Sequence, residues 1–303
     1  MGVGTLLSSF FRQGEFPPEF DGAFYRKRHR DLRHLSDEQL VDHYEKCGRS
    51  EGRLASRAVP RKNFIPLLSR YKSILEIGPF AQPVLRSRNV KYFDVMDRAG
   101  LAERIQRENI TVLKAKNIPE IDFVSPTGDL NVVDQKFDCV VSSHCIEHQP
   151  DVVRHLQQVE NILTDGGCYF VIVPDKRYCF DHYIEESTLE DVLQSHIEKR
   201  TVHSKQNVIK HLALTTHNEP ARHWEGDNGE KPNDPERIVR AEKIFEDANG
   251  AYIDVHSLFL TPKSFRAIFN ALHDRGLTKL KPIRVYDTPV RWNEFCAILQ
   301  KDD

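Results

Sequence analysis

The chain has little of what marks disulfide-bonded, membrane-spanning or nucleic-acid-binding proteins. Its six cysteines are scattered without a C-x-x-C pair, which argues against a zinc ribbon and a disulfide framework and favours a reducing cytoplasm. No apolar run approaches the ~18–20 residues that a membrane-spanning helix needs. The 43 Lys and Arg residues nearly balance the 45 Asp and Glu residues, so the net charge of −2 provides no global field that attracts nucleic acid or an anionic membrane.

The N-terminus lacks a signal for export or for lipid attachment. The apolar stretch Val3–Phe11 is short, and it has neither a preceding basic region nor a small-residue cleavage site. The opening MGVGTL has Leu6 where a myristoylation signal needs Ser or Thr. We therefore expect a frayed tail or a short surface helix here, and a cytoplasmic protein.

The length of 303 residues suffices for one α/β domain and a small appendage. Residues 1–60 are predicted to form the appendage, a module of short helices. One helix begins with a capping box, in which Ser36 and Gln39 exchange side chain–backbone hydrogen bonds, and Gly48 is expected in the left-handed position after that helix. The module is too small to hold a core alone, so we expect it to dock on the main domain, residues 61–303.

From Tyr71 onward, short apolar runs alternate with helical stretches, which predicts an α/β fold with a mostly parallel sheet. A helix over Val152–Leu163 separates the two strongest strands. Near the C-terminus, Thr261 is expected to cap a helix that has Pro262 at its first position and reaches Leu272. The strands are predicted at Ser73–Ile77, Val90–Val95, Thr111–Leu113, Phe137–Ser142, Gly167–Val173, Lys281–Tyr286 and Glu294–Gln300, with the last strand antiparallel.

A long polar segment, residues 175–254, interrupts this alternation just after a strand. Insertions of this length are usually functional, and open α/β sheets bind ligands at the carboxyl ends of their strands. The segment and its C-terminal flank hold seven of the fourteen histidines, from His182 to His256. We interpret residues 175–254 as a lid over the substrate.

A buried strand runs into a tight turn at Gly78, where the missing Cβ permits a ligand to approach the backbone closely. A nucleotide pyrophosphate is bound by several backbone N–H groups, which a G-x-G-x-x-G loop supplies. This loop has a single glycine, and Pro79 and Pro83 each lack an N–H. The loop therefore argues against a nicotinamide dehydrogenase and suits S-adenosylmethionine (SAM), which has no phosphate.

The segment Leu75–Leu85, LEIGPFAQPVL, resembles the first motif of class I SAM-dependent methyltransferases in its Gly-Pro variant, of the type found in bacterial polysaccharide clusters. The resemblance extends over about residues 73–173. It implies a Rossmann-like fold, SAM as the cofactor, and cofactor contacts from Glu76, Gly78 and Pro79. Phe80 and Ala81 stand where the fuller motif has its later glycines.

Two acidic residues extend the resemblance along the chain. In KYFDVMD, Asp94 matches the carboxylate that accepts both ribose hydroxyls of the adenosine, with Asp97 as the alternative. Asp129, which precedes Leu130, matches the acid that accepts the adenine amino group, and the competing interpretation is a turn-forming Asp.

The stretch FDCVVSSHCIEH is similar to the fourth strand of the family and the turn after it. The similarity implies that Ser142 and His144 lie near the sulfonium and that Glu147-His148 opens the next helix. A hydroxyl acceptor must lose its proton during methyl transfer, and a neutral imidazole suits that role near pH 7. The candidate catalytic bases are therefore His144, His148 and His182; for His148 the alternative is a structural residue at a helix start.

Polar and aromatic side chains of the lid region are the candidate substrate contacts: Asp175, Arg177, His223, Trp224 and His256. One interpretation is a divalent-metal site, since some sugar O-methyltransferases use magnesium; its ligands would come from Asp175, Asp181, His182, His223 and His256. We favour a polar pocket for a hydroxylated substrate, because no pair has the tight H-x-x-x-H spacing of a helical zinc site. Trp224 either stacks on a sugar ring or packs inside the lid.

Residues Phe20–Arg57 resemble a small helical module found beside glycosyltransferases and methyltransferases in bacterial surface-polysaccharide clusters. We therefore expect a SAM-dependent O-methyltransferase that acts on a sugar or another hydroxylated acceptor. The alternatives are a methyltransferase for a non-glycan small molecule and a SAM-binding or assembly protein without methylation activity. Nucleic-acid methylation is not expected, because the sequence has no basic stripe and no Asn-Pro-Pro-aromatic element. No pattern favours a particular oligomeric state.

Overall fold

A seven-stranded sheet forms the centre of the protein, in a computed structural model that describes residues 16–302. The tail predicted at residues 3–11 lies outside the described residues. The strand order is β3-β2-β1-β4-β5-β7-β6, and β7 alone runs antiparallel to its neighbours. This confirms the mostly parallel, Rossmann-like sheet. The strands are β1 (Ile74–Ile77), β2 (Val90–Asp94), β3 (Phe123–Val124), β4 (Phe137–Ser143), β5 (Leu163–Pro174), β6 (Leu280–Tyr286) and β7 (Glu294–Lys301).

The described residues contain ten α-helices. No helix among residues 16–302 is both long enough and apolar enough to cross a lipid bilayer. The helices are α1 (Gly22–Arg28), α2 (Asp37–His43), α3 (Arg61–Phe64), α4 (Arg98–Arg107), α5 (Val152–Ile162), α6 (Leu189–Ile197), α7 (Lys205–Leu214), α8 (Pro220–Trp224), α9 (Pro235–Asp247) and α10 (Pro262–Asp274).

The core has two layers because successive residues of a strand face opposite sides of the sheet. In β1, Leu75 and Ile77 pack on the side covered by α5 and α10, whereas Ile74 packs on the side covered by α3. Both faces of the central strands are buried, as expected for parallel strands covered by helices. Cys139 of β4 lies opposite Cys168 of β5 in the second layer. Both are free cysteines of the core.

The strand predicted at Thr111–Leu113 is wrong. These residues form a turn and its exit, and the third strand is the two-residue β3, which pairs with Phe93 and Asp94 at the sheet edge. Leu113 instead packs beside Leu101 and Ile105 of α4, which explains why the region has an apolar residue. β3 is too short and too exposed to produce a periodic signal.

In the N-terminal module, the predicted capping box is present, but the predicted C-cap glycine is not left-handed. The capping box of α2 is present, with Ser36 and Gln39 bonded reciprocally. Gly48 was expected to be left-handed after this helix; instead the chain continues through a π-helical turn, Tyr44–Gly48, and Gly52 is the next residue with positive φ (+63°). Position 48 requires glycine because there is no room for a side chain: a Cβ there would lie 2.1 Å from Tyr25 Oη.

Gly48→Ala is expected to destabilise the protein by about 1–3 kcal/mol, the usual cost of overpacking a core site. The side chain would collide with Tyr25, which is fully buried in the small core of the module. Urea denaturation measures the effect. Gly22→Ala is the matched control, because its Cβ would lie 3.6 Å from the nearest atom and the helix gains an Ala. Equal unfolding midpoints for the two variants contradict this account of Gly48.

Candidate active site

The carboxyl ends of β1, β2, β4 and β5 meet along one edge of the sheet because these strands are parallel neighbours. Gly78, Val95, His144 and Asp175 each follow one of these ends. This is the edge at which open α/β sheets bind ligands. The cofactor residues that the sequence predicts at the ends of β1, β2 and β4 therefore lie along this same edge.

The turn after β1 has the conformation that requires glycine. Gly78 has φ +68°, and a Cβ at this position would lie 3.6 Å from Cys145 Sγ of the turn after β4. Phe80 also has positive φ (+42°), and its backbone N–H donates to Asp94 Oδ2 over 3.3 Å. The loop that contains Pro79 is thereby tied to the end of β2.

Glu76 supports this loop from below. Its side chain is 1% exposed, and its two carboxylate oxygens accept the backbone N–H groups of Val84 (2.6 Å) and Leu85 (3.3 Å). Those contacts make Glu76 an anchor of the loop in this structure. The cofactor contact that the resemblance implied for Glu76 stays a prediction.

Glu76 gives the stability of the protein a pH dependence. Burial raises the pKa of Glu76 to about 7 from 4.5, although the Val84 and Leu85 amides and nearby arginines oppose the rise. The folded state therefore binds the proton more tightly than the unfolded state. The stabilisation is complete below pH 4.5 and is lost as the pH rises through about 7, a difference of about 3 kcal/mol.

Glu76→Gln is expected to remove this pH dependence, because an amide does not titrate. Urea denaturation at a series of pH values from 4.5 to 8 measures it. Glu120→Gln serves as the control, since the Glu120 side chain is 84% exposed. A wild-type pH profile that Glu76→Gln leaves unchanged would show that another group causes the dependence.

The two candidate ribose carboxylates have different roles in the structure. Asp94 is 6% exposed, lies at the end of β2, and accepts the N–H groups of Val95 (2.7 Å) and Phe80 (3.3 Å). Burial raises its pKa despite these hydrogen bonds. Asp97 caps α4, where its Oδ1 accepts the N–H of Gly100 over 2.8 Å. Asp94 is therefore the acid held at the strand end, and Asp97 is a helix cap.

Asp129 begins a short 3₁₀ turn, Leu130–Val132, beyond β3. Its Oδ1 accepts the Asn131 N–H over 3.0 Å and the Gln158 side-chain amide over 2.6 Å. Leu130 is buried in the core. The turn-forming role that was one interpretation of Asp129 is thus observed, and an additional contact with adenine remains a prediction.

Ser142 and His144, both predicted near the sulfonium, differ in accessibility, since the His144 side chain is 38% exposed. Ser142 is buried and hydrogen-bonds to Tyr169 Oη over 2.7 Å. His144 has a left-handed backbone (φ +51°), an uncommon conformation for a residue with a side chain that often occurs at functional sites. Its Nε2 lies 2.8 Å from Glu294 Oε2. Burial alone would lower the pKa of His144, but Glu294 and Glu147 outweigh burial and raise it.

The turn after β4 was not predicted correctly. Glu147 and His148 were expected to open a helix, but they lie in a 3₁₀ turn, and α5 begins later, at Val152, with Asp151 as its cap. The Asp151 side chain accepts an N–H in the first turn of α5, so the helix start is set there. The shift leaves Glu147 and His148 free to face residues of the lid region.

His148 and His256 lie together, with ring centroids 4.6 Å apart. His148 Nδ1 is 2.8 Å from Asp254 Oδ1, and His256 Nδ1 is 2.7 Å from Asp181 Oδ2. Burial would lower the pKa of His148, but Asp254 and Glu147 raise it. Glu147 and Asp254 were missed as site residues; the acid beside His148 and the Asp-x-His spacing before His256 were the available signals.

The other predicted substrate contacts of the lid region do not contact the cluster of His148 and His256. Asp175 is fully buried and binds the Arg177 guanidinium (2.6 and 2.9 Å) and the Thr288 hydroxyl (2.6 Å). His223 contacts Asn228 Oδ1 and the His217 carbonyl. Of the residues proposed as metal ligands from sequence, the structure therefore brings Asp181 and His256 into contact and gives Asp175 and His223 different partners.

Trp224 packs inside the lid region. Its ring stacks on Tyr178 with centroids 3.9 Å apart and planes 9° from parallel, and its Nε1–H donates to the Trp292 carbonyl over 2.9 Å. One face of the indole is thus covered by Tyr178. Of the two interpretations of Trp224, the structure favours packing.

Comparisons with known proteins show the family of the chain. A family model described as a methyltransferase domain matches residues 49–228, which is more than half of the chain. A search of curated proteins finds no match. Among solved structures, the plantazolicin methyltransferase BamL bound to S-adenosylhomocysteine (SAH) is similar at 10% identity, covering 93% of this chain and 97% of that one, with a TM-score of 0.40.

Two further solved structures have similarly low sequence identities and TM-scores. A SAM-dependent methyltransferase from Clostridium acetobutylicum is 11% identical over 88% of this chain and 99% of that one, with a TM-score of 0.37. The CcbJ methyltransferase from Streptomyces caelestis is 10% identical over 87% and 96%, with a TM-score of 0.41. These structural likenesses are too distant to carry an argument about the acceptor. The family match does carry the classification: the chain belongs to the methyltransferase-domain family and is a SAM-dependent methyltransferase.

Proposed function

We propose that the protein transfers the methyl group of SAM to a hydroxyl group of a sugar or of another hydroxylated acceptor. The observation that carries this proposal is the hydrogen bonding of His182, an imidazole in the segment that follows β5. Its Nδ1–H donates to the Arg177 carbonyl over 2.7 Å, and no described residue hydrogen-bonds to its Nε2. Nε2 therefore has a lone pair available to accept the proton of a hydroxyl.

The charges around His182 support a base at neutral pH. Burial lowers the pKa of His182, the hydrogen bond to the Arg177 carbonyl opposes the change, and electrostatic interactions with His223, Lys176 and His217 lower the pKa further. By contrast, the pKa of His144 and of His148 is raised, which favours their protonated forms. Of the three candidate bases, His182 is the one that remains neutral most readily.

The proposed cofactor site consists of the Gly78 turn with Pro79 for the methionine part of SAM, Asp94 for the ribose hydroxyls and Asp129 for the adenine. In the reaction, the acceptor oxygen attacks the methyl carbon as the bond from carbon to sulfur breaks. The hydroxyl proton passes to His182, and SAH leaves. Positioning of the two reactants supplies most of the catalysis, since the sulfonium is already a strong electrophile.

We further propose that residues 175–254 form the lid over the acceptor and that residues 1–60 form a docked helical module. The lid region comprises α6 to α9 and lies in the chain between β5 and α10. The module has its own small core around Tyr25 and Leu40, and Tyr44 Oη donates to Asp287 of the main domain. The Arg177 side chain, which is 42% exposed, suits a hydroxylated acceptor better than an apolar one.

The experiment that tests the acceptor class compares matched sugars. Nucleotide-linked hexoses and their deoxy analogues, each lacking one hydroxyl, are incubated with the protein and SAM, and the methylated atom is located by NMR. We expect methylation of an oxygen and no product from the analogue that lacks it. Methylation of an amine or a carbon in the same panel would contradict the proposal and leave the SAM-dependent activity intact.

A further inference from the structure

Glu147 is a buried carboxylate without a hydrogen-bond partner. Its side chain is 0% exposed, and neither of its carboxylate oxygens accepts a hydrogen bond from any described residue. Burying a carboxylate costs several kcal/mol unless it is paired, hydrogen-bonded or bound to a metal. The surroundings of Glu147 therefore must supply another stabilising interaction, and the nearest candidates are three imidazoles. His144 Nδ1 lies 3.6 Å from Glu147 Oε1, and its other nitrogen binds Glu294. The ligand atoms of His148 and His256, by contrast, form one close group with Glu147.

His148 and His256 present matching nitrogens to Glu147. The Nε2 atoms of the two rings lie 3.9 and 4.0 Å from Glu147 Oε1, too far for hydrogen bonds. The other nitrogen of each ring, Nδ1, lies beside an outer carboxylate. His256 Nδ1 is hydrogen-bonded to Asp181, and His148 Nδ1 is 2.8 Å from Asp254 Oδ1. A histidine that has a carboxylate on one nitrogen and directs the other nitrogen toward a common point is the usual arrangement of a metal ligand.

The separations fit an ion between the three groups. Protein nitrogen and oxygen ligands lie about 2.0–2.2 Å from a divalent transition metal, so two of them are at most about 4.4 Å apart. The ligand atoms of Glu147, His148 and His256 all lie within 4.8 Å of one another, so a small inward movement of the side chains would complete the site. We propose that Glu147, His148 and His256 bind a divalent first-row transition-metal ion.

Two imidazoles and one carboxylate favour zinc, iron, cobalt or manganese over magnesium, which prefers oxygen ligands. Three protein ligands leave coordination positions open. The site is also near the proposed cofactor turn, because Cys145, two residues before Glu147, packs on Gly78. We assign the open positions to the acceptor hydroxyl, whose pKa the ion would lower; this role, unlike the ion site itself, rests on the proposed O-methylation.

The test measures metal binding directly. Untagged full-length protein is stripped with a chelator and titrated with Co²⁺, and bound cobalt is followed by its visible absorption and by elemental analysis. We expect one Co²⁺ per chain, with the moderate-intensity visible bands of a low-coordinate nitrogen–oxygen site. Glu147→Gln and His256→Asn are each expected to weaken binding at least about 100-fold, and Asp181→Asn about 10–100-fold, as for other residues that orient ligands.

His34→Asn is the matched control, because His34 is exposed and lies in the N-terminal module. It should bind Co²⁺ as the wild type does. Co²⁺ should raise the Tm of the wild type and leave that of Glu147→Gln unchanged, a difference that general misfolding would not produce. Absence of stoichiometric Co²⁺ binding by the wild type, or undiminished binding by Glu147→Gln and His256→Asn, overturns the site. SAH titration of the same samples reports separately on the methyltransferase site.

Discussion

Replacing Asp94 by alanine is expected to weaken SAH binding at least about 100-fold. A buried carboxylate that accepts two ribose hydroxyls makes two charge-assisted hydrogen bonds, each contributing about 1.5–3 kcal/mol. The variant also loses the hydrogen bond from Phe80 N–H, which ties the Gly78 loop to the end of β2. Calorimetric titration of the wild type and of Asp94→Ala with SAH measures the difference.

Asp97→Ala is the matched control, since Asp97 is three residues away and was the alternative ribose ligand. The structure uses Asp97 as the cap of α4, so its loss should cost about 1 kcal/mol of stability and change SAH affinity by less than about threefold. Circular dichroism verifies that both variants are folded. If Asp97→Ala abolishes binding and Asp94→Ala retains it, the assignment of the ribose carboxylate is wrong.

His182→Gln is expected to lower kcat by about 10²–10⁴-fold, the usual contribution of a general base, with SAH affinity unchanged. Glutamine retains a hydrogen-bonding side chain but cannot take the proton. In the wild type, the acidic limb of the kcat/KM profile should lie below pH 6.5, because burial lowers the pKa of His182 from that value. Initial rates of SAH release across pH, with an acceptor found in the sugar panel, measure both effects.

The control for this variant is His196→Gln, a lid-region histidine whose Nδ1 pairs with the Asp151 carboxylate. It should retain the wild-type rate. A His182→Gln enzyme that keeps more than half of the wild-type kcat would exclude His182 as the base. Comparison with His144→Gln then shows whether the histidine at the end of β4 takes this role instead.

Much of the fold follows from the sequence where local and global preferences agree. β4 and β5 are apolar runs buried on both faces, and Thr261 and Pro262 mark the start of α10 by their chemistry alone. The predictions that were wrong also have physical causes. β3 has two residues, which is too few to show a period. Gly48 satisfies a packing contact with Tyr25 that no local pattern reveals.

The site was predictable to the extent that its residues follow strand ends. Gly78 and Asp94 stand at such positions, and their motifs place them without knowledge of contacts. Spacing alone did not separate Asp94 from Asp97, because only the observed helix cap assigns Asp97 elsewhere. For the cluster around Glu147, the sequence offered His148 and His256 as separate candidates but not their meeting. His256 lies far from Glu147 in the chain and reaches it only through the tertiary fold.

The central claim is SAM-dependent methylation of a hydroxyl group, and a transfer assay with methyl-labelled SAM tests it most directly. The protein is incubated with labelled SAM and the panel of nucleotide-linked hexoses, and SAH and labelled acceptor are quantified together by chromatography and mass spectrometry. The account predicts that at least one acceptor gains label on oxygen in an amount equal to the SAH released. SAM binding with no SAH release above the protein-free rate, for any hydroxylated acceptor, contradicts the account and favours a SAM-binding assembly protein.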